Sequence, residues 1–381
     1  MNGVIKNLIN RRLFHFVKDA EGMVSYCFLD SKGELLKSIN QEISLVPASN
    51  MKLVTSITAM DLLGKDHTFK TNFLTDGKNM HISGDPSFFL NNIEFRNILE
   101  RSKLNNPDKI YLESPKLDKK YYNDDWVYGD SKYCYQPKIT NFFINENCKI
   151  KEGLSFDEAD FDYLHRNESS FNPARDPDRN FLEAILGKDE QRKVVHRKRV
   201  LANDEKTISL SSPLSKVLQH ILYESCNFYA EVVFKYLSST VKEPGSWEKS
   251  SVIVKNAQSQ IRGIENVRIV DGSGLSRDNY LTTEFLSNLL LQAKKKYGNE
   301  FIKLLPTSGI GTLRRRLSSL KEYEIYAKTG SLFGVSSLSG YIKSLDVEFS
   351  IIINNSLNGS NLIQERIDKI LMGFIKEYEK R

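Results

Sequence analysis

The chain is poor in cysteine, has no long apolar run and carries only a slight excess of either charge. Four cysteines occur in 381 residues (Cys27, Cys134, Cys148 and Cys226), and none forms C-x-x-C. Zinc-ribbon and thioredoxin readings therefore have no support. Cys134 and Cys148 can pair in an oxidising compartment; free buried thiols are the alternative. No stretch approaches the ~20 apolar residues needed to cross a bilayer. Met1 to Val17 carries Lys6, Arg11 and Arg12 but no apolar run of a secretory signal. That leaves a cytosolic protein or one whose leader has been removed, and the motifs below favour the second. The six histidines are scattered without metal-ligand spacing, so neither metal nor cofactor is expected. With 54 basic and 48 acidic residues the net charge is +6. That permits an anionic polymer as partner but does not call for nucleic acid.

What is present is the patterning of a mixed α and β protein. The spacing predicts a helix over Asn2 to Phe16, then a hairpin of Met23 to Leu29 with Glu34 to Ile39 around a Gly-bearing turn. A mostly apolar helix is expected from Ser49 to Leu63, stopped by Gly64. From about His67 to Glu205 short strand-like runs (69–74, 80–82, 109–112) sit among Asn, Asp, Pro and Lys clusters, and 191–199 reads as a solvated, basic helix face. Helical periodicity returns over 211–237, interrupted near Ser225. A short strand is expected at 267–270, a helix at 284–296, three successive strands at 323–327, 336–343 and 348–354, and an amphipathic helix at the C-terminal end. The elements before 67 and after 205 assemble into one antiparallel sheet with helices on both faces. This gives a discontinuous catalytic domain (1–66 plus 206–381) and an inserted accessory domain (67–205).

Three short motifs follow one another along this framework: Ser49-Asn50-Met51-Lys52, Ser225-Cys226-Asn227 and Lys328-Thr329-Gly330. They read S-x-x-K, S-x-N and K-T-G. S-x-x-K recurs at 246–249 and 318–321, and S-x-N at 38–40 and 356–358, so each is weak alone. K-T-G occurs once, and only this arrangement puts fitting local structure around all three. The ordered trio resembles the signature of penicillin-binding proteins and β-lactamases.

The chemistry explains the residue types. A serine hydroxyl needs an adjacent base to act as a nucleophile. Lys52, three residues on, shares a helix face with Ser49. Burial and a second cation, Lys328, would lower its proton affinity. Ser225 is expected to relay a proton and Asn227 to hold Lys52 and the substrate amide. Lys328 and Thr329 are expected to grip a carboxylate, and Gly330 to let the backbone come close. The backbone N–H groups of Ser49 and Ser331 would form an oxyanion hole. An extended peptide can join the K-T-G strand edge.

Further segments narrow the resemblance: Pro47 to Lys52, Gly84-Asp85-Pro86-Ser87, Asp271 to Arg277, Gly311-Thr312-Leu313-Arg314 and Lys328 to Ser339. They are similar to the class C low-molecular-mass penicillin-binding proteins, the D-alanyl-D-alanine carboxypeptidases and endopeptidases of peptidase family S13. The resemblance implies the penicillin-binding-protein/β-lactamase-like transpeptidase fold, with an antiparallel five-stranded sheet flanked by helices. It implies peptidoglycan stem peptides as substrate, β-lactams as inhibitors and a periplasmic location. It also places Asp130 near the substrate's side-chain amine and Arg277 near the same branch. The interval of 225 − 49 = 176 residues between the first two motifs is short for this family, so one accessory insertion is expected to be reduced. A β-lactamase or esterase of the same fold, and a penicillin-sensing module that is only acylated, are the competing functions.

Overall fold

The computed structural model describes residues 22–104, 107–113, 115–150, 171–180, 193–197, 207–240 and 242–380. The helix expected at 2–16 lies outside them. The described chain forms two compact units. The first takes in the chain up to Val54 with Gln258–Ile269 and Gly274 onward; the second is Thr55–Ala257 with Val270–Ser273.

The first unit is built on five antiparallel strands in the order Ile325–Leu332, Val335–Ile342, Val347–Asn354, Met23–Asp30, Leu35–Ile39. The two strands Val335–Ile342 and Val347–Asn354 are buried at every position. Alternation cannot show in their sequences because helices cover both faces. On one face Val24, Tyr26, Phe28, Leu338, Phe349, Ile351 and Ile353 meet the apolar stripe of helix Ser360–Tyr378. Phe28 stacks on Phe374 at 3.9 Å and on Phe349 at 6.0 Å. On the other face helix Thr283–Tyr297 is tied down by polar contacts. Ser287 Oγ donates to Cys27 O at 3.0 Å, Tyr341 OH to Leu290 O at 2.8 Å, and Ser25 and Thr283 share a hydroxyl contact of 2.7 Å. The predicted five-stranded antiparallel sheet with helices on both faces is therefore present. The strand expected at 267–270 is reduced to a single bridge, Arg268 with Tyr280.

The second unit holds a mixed five-stranded sheet in the order Lys193–Arg197, Lys109–Glu113, Met80–Gly84, Thr68–Thr75, Thr207–Pro213, the first three strands being parallel. Phe73, Ile82, Phe95, Ile98, Ile110 and Ile208 fill its core. Helix Asn92–Ser102 starts where Asn91 accepts the Glu94 N–H. Of the basic segment at 191–199, the described residues Lys193–Arg197 form a strand and not a helix. Its Val-Val pair joins the parallel ladder, which outweighs its charge pattern. The described residues of 67–205 lie inside this unit, together with helices Leu214–Tyr223, Asn227–Tyr236 and Trp247–Ala257. Cys134 and Cys148 carry free thiols, with Cys148 Sγ 3.9 Å from Cys134 O. Among the described residues no helix is long and apolar enough to cross a membrane.

At the centre of the second unit lie two buried carboxyl groups. Glu231 accepts the Trp247 indole N–H at 2.7 Å and the Ser273 backbone N–H at 2.7 Å. Asp271 accepts the Trp126 indole at 2.9 Å. Burial, then the Asp271 charge, raises the Glu231 carboxyl from 4.5 to about 8. The folded protein therefore holds a proton that the unfolded chain has already released, and stability is lost as pH rises from about 4.5 through about 8. Urea unfolding across this range is expected to show a falling midpoint that flattens in Glu231→Gln.

Candidate active site

Ser49 sits in a 3-10 turn, Ala48–Asn50, that runs directly into helix Met51–Leu63. This turn is pinned from beneath by the sheet. Ser337 Oγ donates to Pro47 O at 2.7 Å, and Asn50 Nδ2 to Ser339 Oγ at 2.6 Å. Ser339 is in turn 2.7 Å from Ser350 Oγ. The Asn354 side chain closes both backbone groups of Val46, accepting its N–H at 2.9 Å and donating to its carbonyl at 3.0 Å. Ala48 itself has φ +48°, a strained value for an L-residue. Gly274, at φ +83°, lies so close to Ala48 O that a Cβ would collide with it. The glycine of Asp271-Gly272-Ser273-Gly274 is thus a packing requirement of the serine turn.

The first ten residues of helix Met51–Leu63 are all buried, Lys52 among them. Its Nζ lies 3.0 Å from Ser49 Oγ. Lys328 is equally buried, and burial followed by the Lys52 charge holds its ammonium well below the ordinary lysine value of 10.5. The repulsion is mutual, so the charge on each ammonium group disfavours charge on the other. Once Lys52 is neutral, the Ser49 contact reverses: Nζ accepts the hydroxyl proton. This is the geometry of a serine with its general base.

Lys328, Thr329 and Gly330 lie in the middle of strand Ile325–Leu332, not at its end, opposite Ser339, Leu338 and Ser337. This is the outermost strand of its sheet. Among the described residues, Pro306 and Thr307 pair with its outer side near Ile325 to Ala327. Thr329 is half-buried and Ser331 exposed, with Gln364 Nε2 donating to Ser331 Oγ at 3.2 Å. Gly330 packs under the serine turn: a Cβ there would stand 2.9 Å from both Pro47 O and Ser49 N. Arg277 is exposed and donates through Nη2 to Phe333 O at 2.7 Å, at the turn that follows the strand.

In the second unit Ser225-Cys226-Asn227 breaks the helical run between Leu214–Tyr223 and Asn227–Tyr236. Ser225 has φ +60°. Cys226 is buried and caps the second helix, its Sγ accepting the Tyr229 N–H at 3.3 Å. Asn227 Nδ2 donates to Tyr135 O at 3.0 Å. Asp130 is half-buried in the short turn Tyr128–Lys132. The structure therefore brings Ser49, Lys52, Lys328 and Gly330 together within the first unit. Ser225, Asn227 and Asp130 belong to the second. Sequence reasoning missed the supports: Asn50, Ser337, Ser339 and Ser350. Serines inside buried strands read as ordinary strand positions, and only their register shows that they face the turn.

Gly330→Ala is expected to push the Ser49 backbone N–H away from the K-T-G strand. A displacement near 1 Å costs on the order of 10²-fold in rate. The acylation rate with benzylpenicillin, followed by intact mass, checks this, and circular dichroism should show the fold retained.

Comparison with known proteins places the chain in a wider group. The chain is 24% identical over 411 residues to a D-alanyl-D-alanine carboxypeptidase of Actinomadura sp. (strain R39), covering 86% of this chain and 76% of the relative. It is 25% identical over 456 residues to the penicillin-sensitive carboxypeptidase A of Dictyostelium discoideum, covering 92% and 86%. Its fold is shared with penicillin binding protein 4 (dacB) of Haemophilus influenzae, with a TM-score of 0.74 and 20% identity over 91% of this chain and 94% of that one. The model of the D-Ala-D-Ala carboxypeptidase 3 (S13) family matches residues 29–164 and 170–374, and the chain belongs to that family.

Proposed function

We propose that this chain is a serine D,D-peptidase that cleaves the D-alanyl-D-alanine ends or cross-links of peptidoglycan stem peptides, acting in the periplasm. The observation that carries the reading is the 3.0 Å contact between Lys52 Nζ and Ser49 Oγ, beside a buried Lys328 whose charge opposes that of Lys52. Family membership and the names of the relatives support it.

In this mechanism neutral Lys52 takes the Ser49 proton as Oγ attacks the D-alanyl carbonyl. The developing oxyanion is received by the Ser49 and Ser331 N–H groups. The tetrahedral intermediate collapses as the leaving amine gains a proton relayed by Ser225. Asn227 orients the substrate amide, while Lys328 and the Thr329 hydroxyl hold the terminal carboxylate. Water then attacks the acyl-enzyme and restores Ser49. The substrate strand adds at Lys328 to Leu332, beyond the part of the edge taken by Pro306 and Thr307. Asp130 and Arg277 are assigned to the side-chain branch of the stem peptide. A β-lactam presents a strained amide beside a carboxylate and acylates the same serine. No step calls for a metal.

Incubation with benzylpenicillin is expected to give one covalent adduct per chain by intact mass, lost in Ser49→Ala. Steady-state assay with a D-Ala-D-Ala peptide is expected to show turnover. Antibiotic hydrolysis without peptide turnover would instead identify a β-lactamase, and a single stoichiometric burst a penicillin sensor. Digestion of cross-linked muropeptides separates carboxypeptidase from endopeptidase action.

The pH dependence follows from the lysine pair. Acylation needs the pair to have lost one proton, so its second-order rate should rise with pH. Because Lys328 is held well below 10.5, the midpoint of the rise is expected well below that value. A stopped-flow pH profile with a chromogenic β-lactam checks it; a midpoint at the ordinary lysine value would reject the paired-lysine account.

A further inference from the structure

The middle residue of the second motif has company that the peptidase reaction does not use. Cys226 Sγ lies 3.4 Å from Glu146 Oε2, and the other carboxylate oxygen of Glu146 lies 2.9 Å from His220 Nε2. Sulfur, carboxylate and imidazole thus face one another, with all donor atoms within 4.8 Å. Cys226 and Glu146 are buried; the His220 side chain, 9% exposed, is the one nearest solvent.

The surroundings hold these groups in place. Asn145, Glu146 and Asn147 form three consecutive left-handed residues, with φ of +50°, +53° and +55°. Asparagine tolerates this conformation, but glutamate does so at a cost of about 1–2 kcal/mol. The segment is fixed by Asn147 Nδ2, which donates to Lys138 O at 2.7 Å and Thr140 Oγ1 at 2.8 Å, and by the Asn145 amide against Asn92 at 2.9 Å. The His220 ring is flanked by Tyr229 at 4.7 Å and Phe89 at 5.9 Å. The sulfur accepts a backbone N–H from Tyr229 at 3.3 Å, an outer contact that orients it.

We propose that Glu146, His220 and Cys226 form a binding site for a borderline-soft divalent transition metal of the zinc class. One thiolate, one imidazole and one carboxylate suit such a cation; magnesium and calcium would want oxygen alone. Typical metal–ligand bonds of ~2.0–2.3 Å in a tetrahedron set N···O and S···O edges of about 3.4 and 3.6 Å. The two short contacts run to different oxygens of Glu146; with one oxygen as ligand the three donor atoms lie within 4.8 Å of one another, so binding adjusts their separations by roughly 1 Å. Charge also balances. A carboxylate, a thiolate and a dication sum to zero, which removes the cost of burying a lone charge. The cation replaces the proton of the thiol and that of the imidazolium, both released to water. His220 and Cys226 are six residues apart and Glu146 comes from a distant loop, so no sequence spacing announces the set. The site is separate from the proposed acyl transfer, and its occupant would brace the turn that carries Ser225 and Asn227.

The test uses the full chain after chelator dialysis. Zinc titration with metal analysis should give one tightly held equivalent, and cobalt substitution should give a thiolate-to-metal charge-transfer band. The band should persist in the chain carrying Cys27→Ser, Cys134→Ser and Cys148→Ser together, where Cys226 is the only thiol, and vanish in Cys226→Ser. Zinc should raise the thermal midpoint of the wild type and not that of Cys226→Ser. Absence of the band from the wild type, its loss in the single-thiol chain, or its survival in Cys226→Ser would each overturn the proposal. If Cys226→Ser does not fold, the single-thiol chain decides by itself. If the proposal is overturned, the three side chains are a hydrogen-bonded cluster and nothing more. Penicillin labelling of Ser49 in the same samples reports the peptidase reading independently.

Discussion

Two ammonium groups buried beside each other are costly, and the first unit is organised around that cost. Lys52 and Lys328 are both inaccessible to solvent, and the charge of each disfavours charge on the other. In water such repulsion would be about 1 kcal/mol at 4 Å; within a protein it is several times larger. A fold that tolerates the pair must gain elsewhere, and here it gains from a sheet buried on both faces and sealed by the long helix Ser360–Tyr378. The return is chemical. A lysine that readily gives up its proton can serve as a base at a pH where an exposed lysine cannot.

A base is useful only if the hydroxyl stays where the base can reach it. The Ser49 turn is therefore held by hydrogen bonds from two strands, through Ser337, Ser339 and Asn354, with Ser350 backing Ser339. These polar side chains occupy positions where a hydrophobic core would otherwise continue. Each is satisfied by a partner in the turn or in a neighbouring strand, which is the condition under which buried polar groups add order rather than instability. Gly330 and Gly274 complete the fit by omitting side chains where the turn comes closest.

Much of this could be read from the residues. The hairpin at 23–39, the apolar helix after Ser49, the last three strands and the C-terminal helix follow from periodicity, and the five-stranded sheet follows from them. The pairing of Lys52 with Ser49 was legible because three-residue spacing on a helix is a local property. The rest was not local. The strand at 193–197 was hidden because its charges suggested a solvated face while its place in a parallel ladder depended on Lys109–Glu113, far away in sequence. Lys328 could be named as a second cation for Lys52, but the extent of its burial emerges only from the packed sheet. The contacts of Glu146 depend on a left-handed backbone segment, a conformation that glutamate does not advertise.

The clasp between Ala48 and Gly274 joins ends of the first unit that are made far apart in time. Gly274 belongs to a loop synthesised long after the serine turn, and Ser337 and Asn354, which hold the same turn, come later still. Contacts of such sequence separation close late, because the intervening chain must first surrender its freedom. The Ser49 turn thus has no fixed geometry on a nascent or partly folded chain. On the proposed reading, reactivity toward an amide arrives only with the last strand, so a half-made protein is an unarmed one.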